Sequence, residues 1–314
     1  MMTTIRNALE QGVRMLTRQE RTSSGYTCPP DRVRQGTTHP PHPPLAPMRD
    51  AQVLLAHVLH VERATLYAYP ERVLSTEQEQ QFRMLIERRE RGEPVAYLTG
   101  HKEFYGLDFL VDRRVLIPRP ETEFLVETAL GLLRNILSTG RVPVIADIGT
   151  GSGVIPITLA VQEPRIPYLY ASDISAEALD VARLNCQLHH VESRIRLVQG
   201  DLLSPLPGPI DLLTANLPYV GTAEMNLLTP DVRAYEPHLA LFSGPYGLDL
   251  LHRLLIEAKQ SDILARGAII VLEIGYQQRE PLTELIHELW PRAIATFRKD
   301  YANWDRVLQI TLPE

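Results

Sequence analysis

The sequence predicts an α/β protein, in which a small helical domain precedes a mostly parallel sheet covered on both faces. Three observations carry this expectation. From about residue 120 onward, apolar runs rich in β-branched residues alternate with amphipathic runs of helical length. Before that point, apolar residues recur at helical spacing only, apart from one alternating stretch near residue 105. The 314 residues are too many for one small domain and sufficient for two, and a 44% hydrophobic content is enough to fill a sizeable core.

The first element, "MMTTIRNALEQGVRML", places Ile5, Leu9, Val13 and Leu16 on one helical face. Residues 21–48 break the pattern. Their seven prolines and missing apolar periodicity predict a polyproline-rich linker, and "HPPHPP" at 39–44 lacks the neighbouring carboxylate that would suggest a metal site. Helical spacing returns in "RDAQVLLAHVLHV" through Val53, Leu54, Ala56, Val58 and Leu59. The next helix opens at Ser75, a suitable N-cap, and ends near Gly92. "EFYGLDFLVDRRVLIPRP" alternates about Tyr105-Gly106 and predicts a hairpin. The expected division is a helical domain over 1–92, a hairpin connector over 93–118 and the sheet domain over 119–314. Within the last, "PVIADIG", "YLYASD", "IRLVQGD", "IDLLTAN" and "AIIVLEIG" read as strands. "GVIPITLAVQ", "SAEALDVARLNCQLH" and "LDLLHRLLIEAKQSDIL" read as helices, and "ATFRKDY" with "RVLQITLP" as a closing antiparallel pair.

Charge and composition narrow the function. A net charge of −6 is the opposite of what a phosphate-gripping surface needs, so direct nucleic-acid binding is not expected. Cys28 and Cys186 stand far apart without metal-ligand spacing, which suggests neither a zinc site nor a disulfide framework and fits a reducing compartment. No apolar run has the length of a membrane span, and the N-terminus lacks a signal-peptide core. Glu10 and Glu20 argue against a transit peptide, so the cytoplasm is the expected location. Nothing calls for an oligomer, and a monomer is expected.

The first strand of the sheet ends in "ADIGTGSG", comprising Asp147, Gly149, Thr150, Gly151, Ser152 and Gly153. Glycines at a strand-to-helix turn let backbone approach a ligand at the carboxyl edge of the sheet. The dinucleotide spacing G-x-G-x-x-G fails at Val154, and the pattern is acidic-x-G-x-G-x-G instead. An acid before the glycines repels pyrophosphate but can hydrogen-bond, directly or through water, to an ammonium group. That favours S-adenosylmethionine over a nicotinamide dinucleotide. Asp173 closes the second strand, where a carboxylate can accept from both ribose hydroxyls. Asp201 and Leu202 follow the third, where adenine needs an edge acceptor and an apolar contact.

The fourth strand ends in Asn216, Leu217, Pro218 and Tyr219. Methyl transfer from a sulfonium is an in-line displacement, and the protein's main task is to position the nucleophile. An amide or exocyclic amino nitrogen is a poor nucleophile that two carbonyl oxygens can hold through its N–H groups. Asn216 offers one such oxygen, and the backbone of Leu217 or Pro218 offers the other. Pro218 restricts Leu217 to extended conformations and so sets the direction of those carbonyls. Tyr219 offers a ring face to a planar acceptor. No general base is required, and none stands nearby.

With these motifs the chain resembles the HemK/PrmC family, most specifically across 92–127, "GEPVAYLTGHKEFYGLDFLVDRRVLIPRPETEFLVE", and further in "EPHLALFSGPYGLDLLHRL" and "VLEIGYQQ". The resemblance spans about residues 49–311. It implies a seven-stranded Rossmann-like class I methyltransferase domain behind a helical domain and a hairpin. It also implies S-adenosylmethionine as cofactor and, as partner and substrate, the glutamine of the Gly-Gly-Gln motif in peptide chain release factors. Asn216 through Tyr219 would then hold that glutamine, with Asp147, the glycine turn, Asp173, the Asp201–Leu202 edge and Asn216 itself holding the cofactor. Leu217 stands where the family usually has proline, Leu202 where it often has tryptophan, and 21–48 is an insertion.

Two other substrates suit the same pocket: a glutamine of a ribosomal protein, and the N6 amine of adenine in nucleic acid. "RPETE" and the acidic balance disfavour them in turn. A third reading, of a different class, is an inactive cofactor-binding module that serves as an interaction protein, which only Leu217 invites. Arg119 is a candidate to line the substrate channel, alone or with Glu121, against a surface ion pair. Phe104 and Tyr105 are candidates to surround the transferred methyl or merely to stabilise the hairpin. Glu273, at the end of the fifth strand, is expected to support the site rather than to react.

Overall fold

The computed structural model describes residues 3–23 and 46–314, with side chains described to residue 17 and again from residue 46. Most of the expected proline-rich linker, including the 39–44 run and Cys28, lies outside the described residues. The described chain forms two compact units. One comprises the segment to Gly100 together with Leu228–Tyr235, and the other comprises His101–Leu227 with Glu236–Glu314.

The first unit holds α1 (Ile5–Ser23), α2 (Pro47–Leu59), α3 (Arg63–Ala68), α4 (Thr76–Glu90) and α5 (Val95–Thr99). Its core joins Ile5 and Leu16 of α1, Leu54, Leu55 and Leu59 of α2, and Phe82 and Ile86 of α4. Leu9 and Val13 pack at its margin, in keeping with one amphipathic face. Ser75 caps α4 as expected. Its Oγ accepts from the Gln78 N–H at 3.2 Å, and the Gln78 side chain accepts from the Ser75 N–H at 3.0 Å. Helix α5 had no sequence signal, being a single turn entered through Pro94.

The second unit begins with a hairpin, β1 (His101–Phe104) and β2 (Leu107–Leu110), turning at Tyr105 and Gly106. Both turn residues have positive φ, 53° and 75°, which matches the right-handed twist of the flanking strands. There follow α6 (Thr122–Ser138), β3 (Ile145–Ile148), α7 (Val154–Gln162), β4 (Leu169–Asp173), α8 (Ala176–Leu188), β5 (Ile195–Gln199) and β6 (Ile210–Ala215). The short α9 (Pro230–Tyr235) belongs to the first unit. Helix α10 (Asp249–Gln260), β7 (Leu264–Glu273), α11 (Arg279–Leu289), β8 (Ile294–Lys299) and β9 (Asp305–Thr311) complete the chain.

Seven strands form one sheet in the order β5-β4-β3-β6-β7-β9-β8. The first five are parallel, and β9 pairs antiparallel with both β7 and β8. The sheet is therefore the mostly parallel one the strand pattern predicts. Two apolar layers sandwich it. On one face Leu125, Leu130 and Leu133 of α6 and Ile155 and Ile157 of α7 pack on Ile145 and Leu212; on the other, Leu251 and Leu254 of α10 and Leu282 and Ile286 of α11 pack on Ile148, Leu213 and Ile270. Helices α6 and α11 were not assigned from sequence. The strand order reverses between β4 and β6 around β3, which opens a crevice at the carboxyl ends of these strands.

Candidate active site

At that crevice lies a cleft of about 540 Å³, a size suited to one organic ligand. The turn after β3, the ends of β4 and β6, the segment after β5, and residues 237–240 all contribute to its wall.

The glycine turn is shaped by contacts within the unit. Gly149, Gly151 and Gly153 all have positive φ, at 70°, 56° and 83°. The Gly149 and Thr150 N–H groups donate to the Ser172 carbonyl at 2.9 and 3.0 Å, which ties the turn to the end of β4. A Cβ on Gly149 would lie 2.8 Å from Leu217 Cδ2, so the side chain of Leu217 occupies the space that glycine leaves. Asn185, buried on α8, anchors the turn from behind. Its Nδ2 donates to the carbonyls of Ser152 at 2.9 Å and Leu110 at 3.0 Å, and its Oδ1 accepts from the Leu110 N–H. An asparagine on the apolar face of a helix was the available signal, and sequence reasoning missed it.

Of the expected cofactor residues, Gly149, Thr150, Gly151, Ser152, Asp173, Asp201 and Leu202 line the cleft together with Asn216, whereas Asp147 and Gly153 do not. Asp147 sits behind the turn, almost wholly buried. Its register partner on β6 is Thr214, whose hydroxyl donates to Oδ1 at 2.7 Å. Oδ2 and the neighbouring Thr150 Oγ1 are both buried without a well-formed hydrogen bond. Burial pushes the Asp147 carboxyl up to about 7; the hydroxyls of Thr214 and Thr150 work against this rise, and the charge of Asp173 adds to it.

Asp173 accepts from the Gly151 N–H at 2.8 Å through Oδ2 and from the Ser175 N–H at 2.9 Å through Oδ1. These two bonds leave acceptor capacity on the carboxylate, which the Ile174 backbone also approaches. Burial raises its pKa, and these backbone donors oppose the rise. Asp201 is half exposed and pairs with Arg253 of α10 at 2.7 Å, a partner with no signal in the sequence. Leu202 is buried, with a positive φ of 45°.

Asn216, Leu217 and Pro218 reach the cleft at the end of β6. The Nδ2 of Asn216 donates to Thr122 Oγ1 at 3.1 Å, and Thr122 Oγ1 donates to Glu273 Oε2 at 2.7 Å. Tyr219 stands apart from the cleft lining, and its hydroxyl donates to Glu273 Oε1 at 3.1 Å. Its carbonyl accepts from Gln278 Nε2, which also donates to the Gly247 carbonyl. A Cβ on Gly247 would lie 2.0 Å from the Tyr219 oxygen, so only glycine permits this loop to back the strand end. Burial holds the Tyr219 phenol well above its ordinary value, and the Glu273 charge adds to the effect.

Arg119 lines the cleft and is paired from within the fold. It donates at 2.5 Å to Glu236, a buried carboxylate that also accepts from the Ile117 N–H. Phe104 is core, stacked edge-on against Phe109, and neither it nor Tyr105 reaches the cleft. Among the described residues there is no group of His, Cys, Asp or Glu that could hold a metal ion.

Glycine turn, strand-end acid and seven-stranded order together define a class I methyltransferase, the class of enzyme that uses S-adenosylmethionine. In its fold the chain is similar to the hMettl16 catalytic domain solved in complex with MAT2A 3'UTR hairpin 6, with a TM-score of 0.52 over 78% of this chain and 86% of that one, at 15% identity. Residues 46–100 match the PrmC N-terminal domain, and residues 125–230 the methyltransferase small domain. The release factor glutamine methyltransferase of Moorella thermoacetica is 42% identical over 83% of this chain and 89% of its own length. That of Koribacter versatilis is 40% identical over 77% and 84%. The chain belongs to the release factor glutamine methyltransferase family. No helix among the described residues is long and apolar enough to cross a membrane.

Proposed function

We propose that this chain transfers a methyl group from S-adenosylmethionine to the side-chain amide nitrogen of the glutamine in the Gly-Gly-Gln motif of peptide chain release factors. The observation that carries this reading is Asn216, an amide at the end of β6 that opens onto the cleft beside the glycine turn. Membership of the family supplies the substrate.

The residues fit the cofactor. Gly151, where a side chain would enter open space, keeps the cradle clear, while Gly149 and Gly153 let the turn close against Leu217 and Ile157, with the main chain of Thr150 and Ser152 between them. The remaining acceptor capacity of Asp173 suits the ribose hydroxyls, and Asp201 with Leu202 suits adenine. Asp147 acts from behind, through the turn and the unmatched Oδ2 and Thr150 hydroxyl. When bound, S-adenosylmethionine supplies an electrophilic methyl on a sulfonium. Asn216 Oδ1 and a backbone carbonyl of Leu217 or Pro218 accept the two N–H groups of the glutamine amide and aim its nitrogen. The nitrogen would take the methyl as the carbon–sulfur bond breaks, leaving a thioether, and would give up one proton to solvent. Leu217 in place of proline still fills the space over Gly149, and Pro218 still restrains it. Tyr219 contributes by holding the loop through Glu273 and Gln278. Arg119, fixed by Glu236, presents a cation to the incoming chain. On this reading the helical segment 1–92 and connector 93–118 serve recognition of the factor and 119–314 serves transfer. The enzyme works as a cytoplasmic monomer on protein rather than nucleic acid.

The test is transfer of labelled methyl from S-adenosylmethionine to a purified bacterial release factor, beside the same factor with its Gly-Gly-Gln glutamine replaced. Label on the intact factor alone supports the proposal. Label on neither, with cofactor binding intact, overturns it.

A further inference from the structure

The carboxylate of Glu273 is fully buried at the end of β7, next to the end of β6, where the parallel register pairs Ala215 with Leu272. It has two hydrogen-bonded neighbours at the site, and both lead to the motif at 216–219. Oε2 accepts from Thr122, which touches Asn216, and Oε1 accepts from Tyr219. A carboxylate shared by the two ends of a four-residue motif does more than fill space.

We infer that Glu273 and Thr122 are positioning residues that determine which end of the Asn216 amide faces the cleft. The inference rests on the proposed function for the identity of the acceptor, and on geometry for the rest. An ionised carboxylate can only accept, so both hydroxyls must point their hydrogens at Glu273. Thr122 Oγ1 then has only lone pairs left for the Asn216 atom 3.1 Å away. That atom must be the nitrogen. The oxygen is left for the substrate. With the amide turned over, two acceptors would meet at Thr122, and N–H would face N–H at the glutamine. Burial raises the Glu273 carboxyl above its ordinary range and the charge of Glu121 adds to the rise, while the hydroxyls of Thr122 and Tyr219 and the charge of Arg306 favour the ionised form. Arg306, itself buried and paired with Asp300 at 2.9 Å, is a fixed cation whose charge acts on it. The relay is thus an ordered chain, Asn216 to Thr122 to Glu273, with Tyr219 closing the second oxygen.

Thr122→Val keeps the shape of the side chain and removes the hydroxyl, and Thr122→Ser keeps the hydroxyl. With the release factor as substrate, Thr122→Val is expected to lower kcat by about 10- to 100-fold, as small errors in aim do. KM for the factor and Kd for S-adenosylmethionine should stay within about twofold, and Thr122→Ser should recover kcat to within about threefold. Unchanged kcat in Thr122→Val, or equal damage in Thr122→Ser, overturns the inference. A second readout needs no substrate. In nitrogen-labelled protein the Asn216 side-chain NH₂ resonances, assigned by their loss in Asn216→Asp, should exchange slowly with solvent in the wild type and Thr122→Ser, and rapidly in Thr122→Val. Rapid exchange in the wild type overturns the relay, even if methylation of the release factor is found. Slow exchange upholds it, even if the substrate proves to be another protein.

Discussion

Replacing Asp147 with asparagine should stabilise the cofactor-free protein at alkaline pH while weakening its hold on S-adenosylmethionine. The side chain is almost fully buried behind the glycine turn, with one oxygen on Thr214 and the other unmatched. Burial lifts its carboxyl from 3.8 to about 7. An acid raised in this way favours the folded state while it is protonated. Its contribution is complete below the unfolded value and is lost as pH climbs through the folded one. Near pH 8 the folded protein therefore carries a buried charge that costs about 4 kcal/mol relative to a neutral side chain, and near pH 4.5 the cost falls to about 1 kcal/mol. Asparagine keeps the acceptor for Thr214 and is never charged. Both tryptophans, Trp290 and Trp304, lie in the unit that holds the cleft, so their fluorescence reports on this unit alone. Urea denaturation followed by that signal should show Asp147→Asn more stable than wild type, with a larger gain near pH 8 than near pH 4.5. A variant less stable near pH 8, or a gain independent of pH, would refute the reasoning. Titration with S-adenosylmethionine should show weaker binding by the variant.

Two further outcomes follow from neighbouring geometry. Gly149→Ala forces a Cβ to 2.8 Å from Leu217 at a φ of 70°, so it should cost roughly 1–2 kcal/mol of stability from backbone strain alone and lower cofactor affinity, as equilibrium denaturation and calorimetric titration would show. Glu163, which ends α7, is held down to about 2 chiefly by hydrogen bonds from Arg165, so its stabilisation is present above the ordinary carboxylate range and is lost as pH falls toward about 2; Glu163→Gln should flatten this acid limb in a pH series of thermal melts.

Much of the fold was legible because strand and helix leave periodic traces. Each β-branched run from "PVIADIG" to "RVLQITLP" became a strand, and the acids and amide at 147, 173, 201 and 216 marked strand ends. Helices α6 and α11 escaped because neither opens on a capping side chain: Glu121 and Gln278 stand at their N-caps and make no cap hydrogen bond. What could not be read were partners brought together only by folding. Arg119 and Glu236 are 117 positions apart, and Thr122 and Glu273 151 apart. Arg253 beside Asp201 and Gln278 beneath Tyr219 are likewise products of topology. The aromatic of the motif has a partner hidden for a similar reason. Its hydroxyl finds a buried carboxylate on the next strand, a contact that no spacing in the sequence announces.

On the proposed function Asn216 acts mainly by aiming the acceptor nitrogen, although it lines the same cleft as the expected cofactor residues. Single-turnover methyl transfer to a release factor, measured beside S-adenosylmethionine binding for wild type and Asn216→Ala, tests it directly. The transfer rate should fall by about a thousandfold or more while cofactor Kd changes by about threefold or less. Parallel losses in both quantities, or transfer that survives without the amide, would contradict the account.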